Sequence, residues 1–357
     1  MKIVIDAMTA EFGGIRTYVD QLVSAWETTF PDDEVHVAVP AGSTIAAEAR
    51  RRHELRVRRP STLGRPLAQT FALRRLIATV APDAVLATMP QTTLRRLPRP
   101  IGVVVHDLRH QLRPQQFSLA RRALRRVSYG RAYAVADGFI SVSARTQGDL
   151  QELQPATQGR PSTVVHHGAD HVLEWPAPDR DGPAIAFAHH TNKNPDLIIE
   201  AWEVLAQRGT GPRLTILGVG GARETLQGEI DRRGLHDAIT LARYLPEDEF
   251  RRTVSSAAMI VFPSDFEGFG LPVIEGMSLG KPVVIGPDKA TLEVAGGHAI
   301  VMTDWSPTAL AHAVEAAGQM GAAEVEAARM WGASFTWART ARETREMLQK
   351  LAAKSRP

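Results

Sequence analysis

The chain has 357 residues, 44% of them apolar and 23% charged, an ordinary globular composition long enough for two domains. It contains no cysteine, which excludes disulfides, thiolate metal sites and cysteine nucleophiles, and no apolar run approaches a membrane span. The formal charge of +3 hides a split, since residues 1–165 carry 23 Lys and Arg against 14 Asp and Glu, and the remainder 19 against 25. A basic front half suits an anionic partner such as a phosphate or a membrane surface, and equally an ordinary solvated face.

In chain order, "MKIVIDAM" enters a strand directly, with no secretory apolar stretch. The cytoplasm is therefore the expected location, with the inner face of the membrane as its variant. Short β-branched runs then alternate with longer stretches of helical spacing such as "RTYVDQLVSAWETT". In the front half the runs are "KIVIDAM", "EVHVAV", "DAVLAT", "IGVVVHD", "DGFISVS" and "STVVHHG". In the back half they are "PAIAFAHH", "RLTILGVG", "AITLARY", "AAMIVFPS", "KPVVIG" and "HAIVMTD". Continuous apolar runs separated by helices predict two parallel α/β sheets. The proline-rich stretch 167–183 reads as the linker. In such sheets ligands sit at the C-terminal ends of strands, so the loops after the strands are where chemistry is expected.

The loop after the first strand holds Gly13 and Gly14 at the start of a helix, a place for an anion or simply a tight turn. It lacks a dinucleotide fingerprint. His106 and Asp107 end the run "IGVVVHD"; with His110 they invite a metal reading, but no closed ligand set is visible and no metal is expected. A core histidine is the plain alternative for His106. In "AFAHHTNKNPDL", Lys193 stands at a strand-to-helix turn, where it suits a diphosphate, and His189 and His190 stand beside it. Asn194 or Asp196 could instead cap the following helix.

The most informative stretch is "FPSDFEGFGLPVIEGMSLGKPVV", residues 262–284. It predicts a strand, a glycine loop carrying Glu267, and a helix opened by Pro272 with Glu275 in its first turn. The backbone amides of residues 268–271 can donate to ligand oxygens there. Two carboxylates at this spacing can grip two parts of a polyhydroxylated ligand. The alternatives are a solvated loop acid and an acid that meets the helix dipole.

The spacing from Glu267 to Glu275 resembles the E-x7-E motif of retaining glycosyltransferases with the GT-B fold, family 4. "FGGIRTYV", "VVVHDL", "ISVSARTQGDL", "VVHHGAD", "NKNPDLIIEAW" and the terminal "FTWARTARETREMLQKL" follow the same pattern in order, so the resemblance spans nearly the whole chain. It implies two Rossmann-like β/α/β domains facing each other across a deep cleft. Residues 1–168 would form an acceptor-side domain and 182–335 a nucleotide-sugar domain, with 336–357 a closing helix crossing back to the first. It implies that Glu267, with the amides of Gly268, Phe269, Gly270 and Leu271, holds the donor sugar and Glu275 the nucleotide ribose. Lys193 would meet the diphosphate, Gly14 the phosphate and sugar, and His106 the reacting sugar near its C6 hydroxyl. Arg16, Tyr18 and Asp107 are candidate acceptor contacts, as is the stretch 61–70. The implied activity is transfer of a hexose from a nucleotide diphosphate sugar to a hydroxyl of an envelope polysaccharide, lipid-linked or small-molecule acceptor. No cofactor and no metal would be needed.

Two departures stand out. Asn192 precedes the lysine where the family often has an arginine, leaving Arg243 or His189 as substitutes, and Arg16 replaces a glycine. Further along, "SLARRALRRVSYGRAY" places Arg121, Arg122, Arg125 and Arg126 on one helical face and Leu119, Ala120, Ala123, Leu124 and Val127 on the other. The expectation is a surface helix whose apolar face packs on the sheet. The functional alternative is contact between its arginines and an anionic membrane or lipid diphosphate. Nucleic acid is not expected, because aromatic residues are 6% and no stacking platform appears. A sugar-nucleotide epimerase or hydrolase and a non-catalytic binding module are the rival functions.

Overall fold

Every apolar run named above forms a strand, and every strand pairing is parallel. The computed structural model describes residues 1–354 apart from Phe12, Arg59, Pro60, Arg180 and His190, and only the backbone of residues 61–63. The expectation placed on His190 therefore lies outside the described residues. The chain divides into a discontinuous unit, residues 1–168 with the segment from Thr336 onward, and a continuous one, Ala169–Phe335. Among the described residues no helix is long and apolar enough to cross a membrane.

The first unit contains β1 (Lys2–Asp6), α1 (Gly13–Thr29), β2 (Glu34–Pro40), β3 (Arg51–Leu55), α2 (Ser61–Val80), β4 (Ala84–Ala87) and β5 (Ile101–Val105). It continues with α3 (Arg109–Leu112), α4 (Leu119–Val135), β6 (Gly138–Ser141), α5 (Ala144–Leu153) and β7 (Ser162–Val164). Its sheet runs β3-β2-β1-β4-β5-β6-β7. No apolar run announces β3, "RRHEL", because it is a polar edge strand; its register runs from His36 opposite Arg51 to Pro40 opposite Leu55. Leu73 and Ile77 of α2, Tyr129 and Tyr133 of α4 and Leu150 of α5 share one core with the strands.

The second unit contains β8 (Ala184–Phe187), α6 (Pro195–Gln207), β9 (Leu214–Leu217), α7 (Arg223–Arg232), β10 (Ile239–Leu241), α8 (Glu247–Ser255) and β11 (Ile260–Phe262). Then come α9 (Leu271–Ser278), β12 (Val283–Ile285), α10 (Lys289–Ala295), β13 (Ile300–Val301), α11 (Pro307–Gly318) and α12 (Ala322–Ala333). The sheet order is β10-β9-β8-β11-β12-β13. The stretch read as a linker is not all loop: Asp170–Glu174 form a 3-10 turn inside this unit.

The last helix, α13 (Trp337–Lys354), belongs to the first unit. It packs on α1 and against β4, β5 and β6. Glycine lets it approach closely, for a Cβ at Gly138 would lie 2.6 Å from Met347 Cε and 2.9 Å from Leu351 Cδ2. Asp33, just before β2, fastens α13. Its carboxylate accepts from Arg345 Nε at 2.7 Å and Arg345 Nη2 at 3.0 Å, from Trp26 Nε1 at 3.0 Å, and from the amino group of Met1. The Arg345 guanidinium also lies 4.5 Å from the Phe30 ring centre.

α4 departs from expectation. Its second half buries Tyr129, Ala132 and Tyr133. In its first half the apolar face does not pack on the sheet: Leu119 is 79% and Val127 69% exposed, and Leu124 is exposed too. The reason is register. Arg125 lies one turn before Tyr129 on the buried stripe, and its guanidinium is stacked 4.7 Å from the Phe117 ring and 5.8 Å from that of Tyr129. Arg121, Arg122 and Arg126 stay exposed.

Candidate functional site

In the second unit, two loops after neighbouring strands are knitted together. The turn Thr191–Lys193 after β8 leads through Asn194, in the left-handed region at φ 51°, into α6. The loop after β11 leads through Gly270, at φ 98°, into α9 with Pro272 in its first turn. Asn192 is buried, and its Nδ2 donates to Ser264 Oγ at 2.9 Å, Phe266 O at 2.9 Å and Glu267 Oε1 at 3.0 Å. The single Ser264 hydroxyl proton is shared between Asn192 O, at 2.9 Å, and the Glu267 carboxylate. Asn194 Nδ2 donates to Pro263 O at 2.9 Å. Lys193 is buried with its ammonium on Glu267 Oε1 and 4.1 Å from the Phe262 ring centre. A buried lysine needs such a partner, because an unpaired charge there costs several kcal/mol.

Lys193 and Glu267 are thus brought together. Glu275 stands in the second turn of α9, not the first, since the helix begins at Leu271; the helix dipole accordingly acts on it more weakly. It pairs instead with His171, whose Nε2 is 3.3 Å from Oε1. His171 comes from the 3-10 turn 170–174 and stands edge-on to Trp175. Phe269 turns its ring inward onto Phe335, and Gly268 and Leu271 remain partly exposed. His189 packs over Gly218, where a Cβ would lie 3.2 Å from its ring, and Arg243 is exposed in the loop after β10. A cavity of about 720 Å³ opens at the other edge of this sheet, by Pro212, Met259 and Pro282, away from the carboxylates.

In the first unit, Gly13 takes φ 60° and opens α1, with Gly14 also exposed. Arg16 Nε donates to Asp20 Oδ2 at 3.3 Å and its Nη2 to Thr44 O at 3.4 Å. Tyr18 is 2% exposed, its ring 5.2 Å from His106, 4.8 Å from His167 and 6.1 Å from Trp337; burial raises its pKa. As an acceptor contact Tyr18 is displaced by this packing: it is a core residue here. Asp107 accepts from Arg109 N at 2.9 Å, closing a local turn. His110 is buried edge-on against Tyr129, and burial first, then Arg125, pushes its pKa down to about 4.

His106 Nε2 lies 2.9 Å from Thr88 O. A carbonyl only accepts, so Nε2 carries the proton. Burial lowers the His106 pKa against the opposing pull of Thr88 and Asp107. The neutral ring then presents Nδ1 as an acceptor. Thr88 Oγ1 in turn donates to Asp6 O at 2.8 Å. The buried Asp6 carboxylate accepts from Thr92 Oγ1 at 2.7 Å, Gln69 Nε2 at 2.9 Å and Met8 N at 3.2 Å. Asp6 therefore ties the end of β1 to α2 and to the segment after β4, beside the carbonyl that orients His106.

Burial raises the Asp6 pKa to about 6, against the hydrogen bonds from Thr92, Met8 and Gln69. A carboxyl whose folded pKa lies above its unfolded value stabilises the fold below about pH 4, and that contribution is lost as pH rises through about 6. The shift corresponds to roughly 3 kcal/mol. Asp6→Asn is expected to flatten the pH dependence of stability between about pH 4 and 6.5. Urea unfolding of both proteins across that range checks it, and an unchanged slope refutes it.

Sequence reasoning missed Asp6 and His171 and saw Asn192 only as a substitution. Asp6 was hidden at the end of an apolar run, and His171 lies more than 100 positions from its partner Glu275.

The chain belongs to the GT-B glycosyltransferases. The family described as Glycosyltransferase Family 4 matches residues 12–173, and the family described as Glycosyl transferases group 1 matches residues 184–331. A GDP-mannose-dependent alpha-(1-6)-phosphatidylinositol dimannoside mannosyltransferase of Mycobacterium tuberculosis is 26% identical over 379 residues, covering 96% of this chain and 94% of that protein. The alpha-D-kanosaminyltransferase of Streptomyces kanamyceticus is 30% identical over 106 residues, covering 29% of this chain and 28% of its own. Among solved structures, Anabaena HepE in complex with UDP and glucose superposes with a TM-score of 0.75 at 16% identity, over 98% of this chain and 100% of that one. Sucrose-phosphate synthase from Thermosynechococcus elongatus matches with a TM-score of 0.75 at 17% identity, over 99% and 100%.

Proposed function

We propose that this glycosyltransferase moves a hexose from a nucleotide diphosphate sugar to an acceptor hydroxyl with retained configuration and without a metal in the site. The observation that carries the reading is the pair Glu267 and Glu275 around the α9 turn, with Lys193 brought onto the same loop from β8. Glu267 and the amides of residues 268–271 take the sugar hydroxyls, and Glu275 takes the ribose. Lys193 and the N-termini of α6 and α9 take the diphosphate.

The bond from the anomeric carbon to the diphosphate oxygen breaks as the acceptor oxygen bonds to that carbon from the same side. The departing phosphate oxygen accepts the acceptor's proton, so no protein nucleophile is required. His106, with Nδ1 as acceptor, and the Gly13–Gly14 turn are the first unit's proposed contributions, with Arg16 and Asp107 kept as acceptor contacts. Asn192 cannot replace a diphosphate-binding arginine, because its amide is spent on the loop. Arg243 or His189 supplies that charge in this reading. Mannosyltransferases among the relatives support a hexose donor, and the lipid-based acceptor in one of their names supports a lipid-linked acceptor.

A thermal-shift series with nucleoside diphosphates and their sugars tests the donor site. One base is expected to stabilise the protein by about 2.7 kcal/mol at a hundredfold excess over its Kd, and Glu275→Ala to abolish that gain. No shift with any nucleotide would overturn the assignment. Acceptor-dependent release of the diphosphate then separates transfer from hydrolysis or epimerisation.

A further inference from the structure

The basic character of the front half is concentrated in one region. Residues 56–135 contain 16 arginines and two acids, Asp83 and Asp107. The structure places much of this charge around apolar side chains that are exposed among the described residues of the first unit. α2 and α4 contribute to the same core and so lie on the same face of the sheet. Each leads directly into a strand of a parallel sheet, so the two helices run the same way, with both first halves toward the C-terminal edge.

Their outward faces carry exposed apolar residues: Leu67 and Phe71 on α2, and Leu119, Leu124 and Val127 on α4. The intervening segment joins them, since Arg74 Nη1 donates to Arg96 O at 2.8 Å and Arg131 Nε to Leu94 O at 2.6 Å. Arg95, Arg96 and Arg99 on this segment are exposed.

The first half of α4 is inverted relative to an ordinary surface helix. Its inward stripe carries the stacked Arg125, and its apolar stripe faces out. At 100° per residue, Arg121 borders that stripe on one side and Arg126 on the other. Long arginine stems beside an apolar ridge match a bilayer interface, where acyl chains and phosphates lie at neighbouring depths. A second copy of the same face would meet its own positive charge, so self-association is disfavoured.

We propose that the first unit docks on an anionic lipid bilayer through this surface, with Leu119, Leu124 and Val127 entering the interface and Arg121, Arg122 and Arg126 meeting lipid phosphates. The proposal rests on exposure and charge, independently of the transfer reaction.

Co-sedimentation of the full-length protein with vesicles tests it. One set is phosphatidylcholine alone, and the other is phosphatidylcholine mixed roughly two to one with phosphatidylglycerol, each at low and high salt. Binding is expected to the anionic vesicles only, and to weaken with salt. Leu119→Ser/Leu124→Ser/Val127→Ser and Arg121→Glu/Arg122→Glu/Arg126→Glu are each expected to lower partitioning by more than about tenfold. Their melting temperatures should stay at the wild-type value, because all six side chains are exposed. A wild-type protein that ignores anionic vesicles at low salt overturns the proposal, as does binding that survives both variants. Retention by an immobilised acidic polypeptide without vesicle binding would assign the surface to a protein partner and overturn it equally.

Discussion

Glu267→Ala is expected to lower kcat by about a hundred- to a thousandfold, the range for removing one preorganised polar contact to a transition state. The magnitude follows from where the carboxylate stands. Glu267 is held by Lys193, Asn192 and Ser264 before any substrate arrives, so its position costs nothing at the moment of reaction. Its removal acts twice. The sugar loses a hydrogen-bond acceptor, and Lys193, with its side chain only 7% exposed, loses the carboxylate that positions it. The mutant should bind a nucleoside diphosphate with a smaller change than Glu275→Ala, because Lys193 and Glu275 remain to meet the diphosphate and the ribose while the main deficit is in turnover. Initial-rate kinetics with a donor found by thermal shift decide the matter. A kcat within threefold of wild type would remove Glu267 from the reaction.

Asp33→Ala is expected to be strongly destabilising. The carboxylate is almost fully enclosed, with its side chain 3% exposed, and it joins α13 to the start of β2 through Arg345. Burial alone would raise its pKa, yet Arg345, the N-terminal ammonium and Trp26 outweigh that and hold it at about 2. Truncation leaves the arginine and the indole N–H without their acceptor. Breaking such a pair costs about 3 kcal/mol, a fall of roughly 6–12 °C in melting temperature for a unit of this size. In the wild type the same carboxylate contributes stability above about pH 4 and loses it as pH falls through about 2. That is a lower window than the one governed by Asp6, so the two are separable by titration. A shift under two degrees in Asp33→Ala would show that α13 is held by its apolar contacts alone.

The strands of both sheets were legible because buried parallel strands are apolar on both faces, leaving a continuous signature in the chain. β3 escaped because an edge strand needs only one partner and tolerates "RRHEL". The carboxylates and the lysine were legible because glycine, proline and charge cluster at one strand-to-helix turn. Their partners were not. Nothing local in "HGADHV" says that His171 will meet Glu275, and nothing in "KIVID" says that Asp6 will be roofed by Gln69 and Thr92. α4 was misjudged for a different reason. Periodicity identifies two faces, but which one turns inward depends on neighbours, here Tyr129 and Tyr133, that fix the rotation of the whole helix.

The discontinuity of the first unit bears on the order in which the protein is made. A ribosome delivers residues 1–168, then all of the second unit, and only afterwards α13. The second unit has its whole sheet and core in hand before synthesis ends. The first must wait, with Gly102, Gly138 and the Asp33 carboxylate still uncovered, for a helix that arrives last. Completion therefore runs in reverse of chain order, and a released chain truncated after residue 335 should yield a protease-resistant second unit beside a first unit that is still digestible.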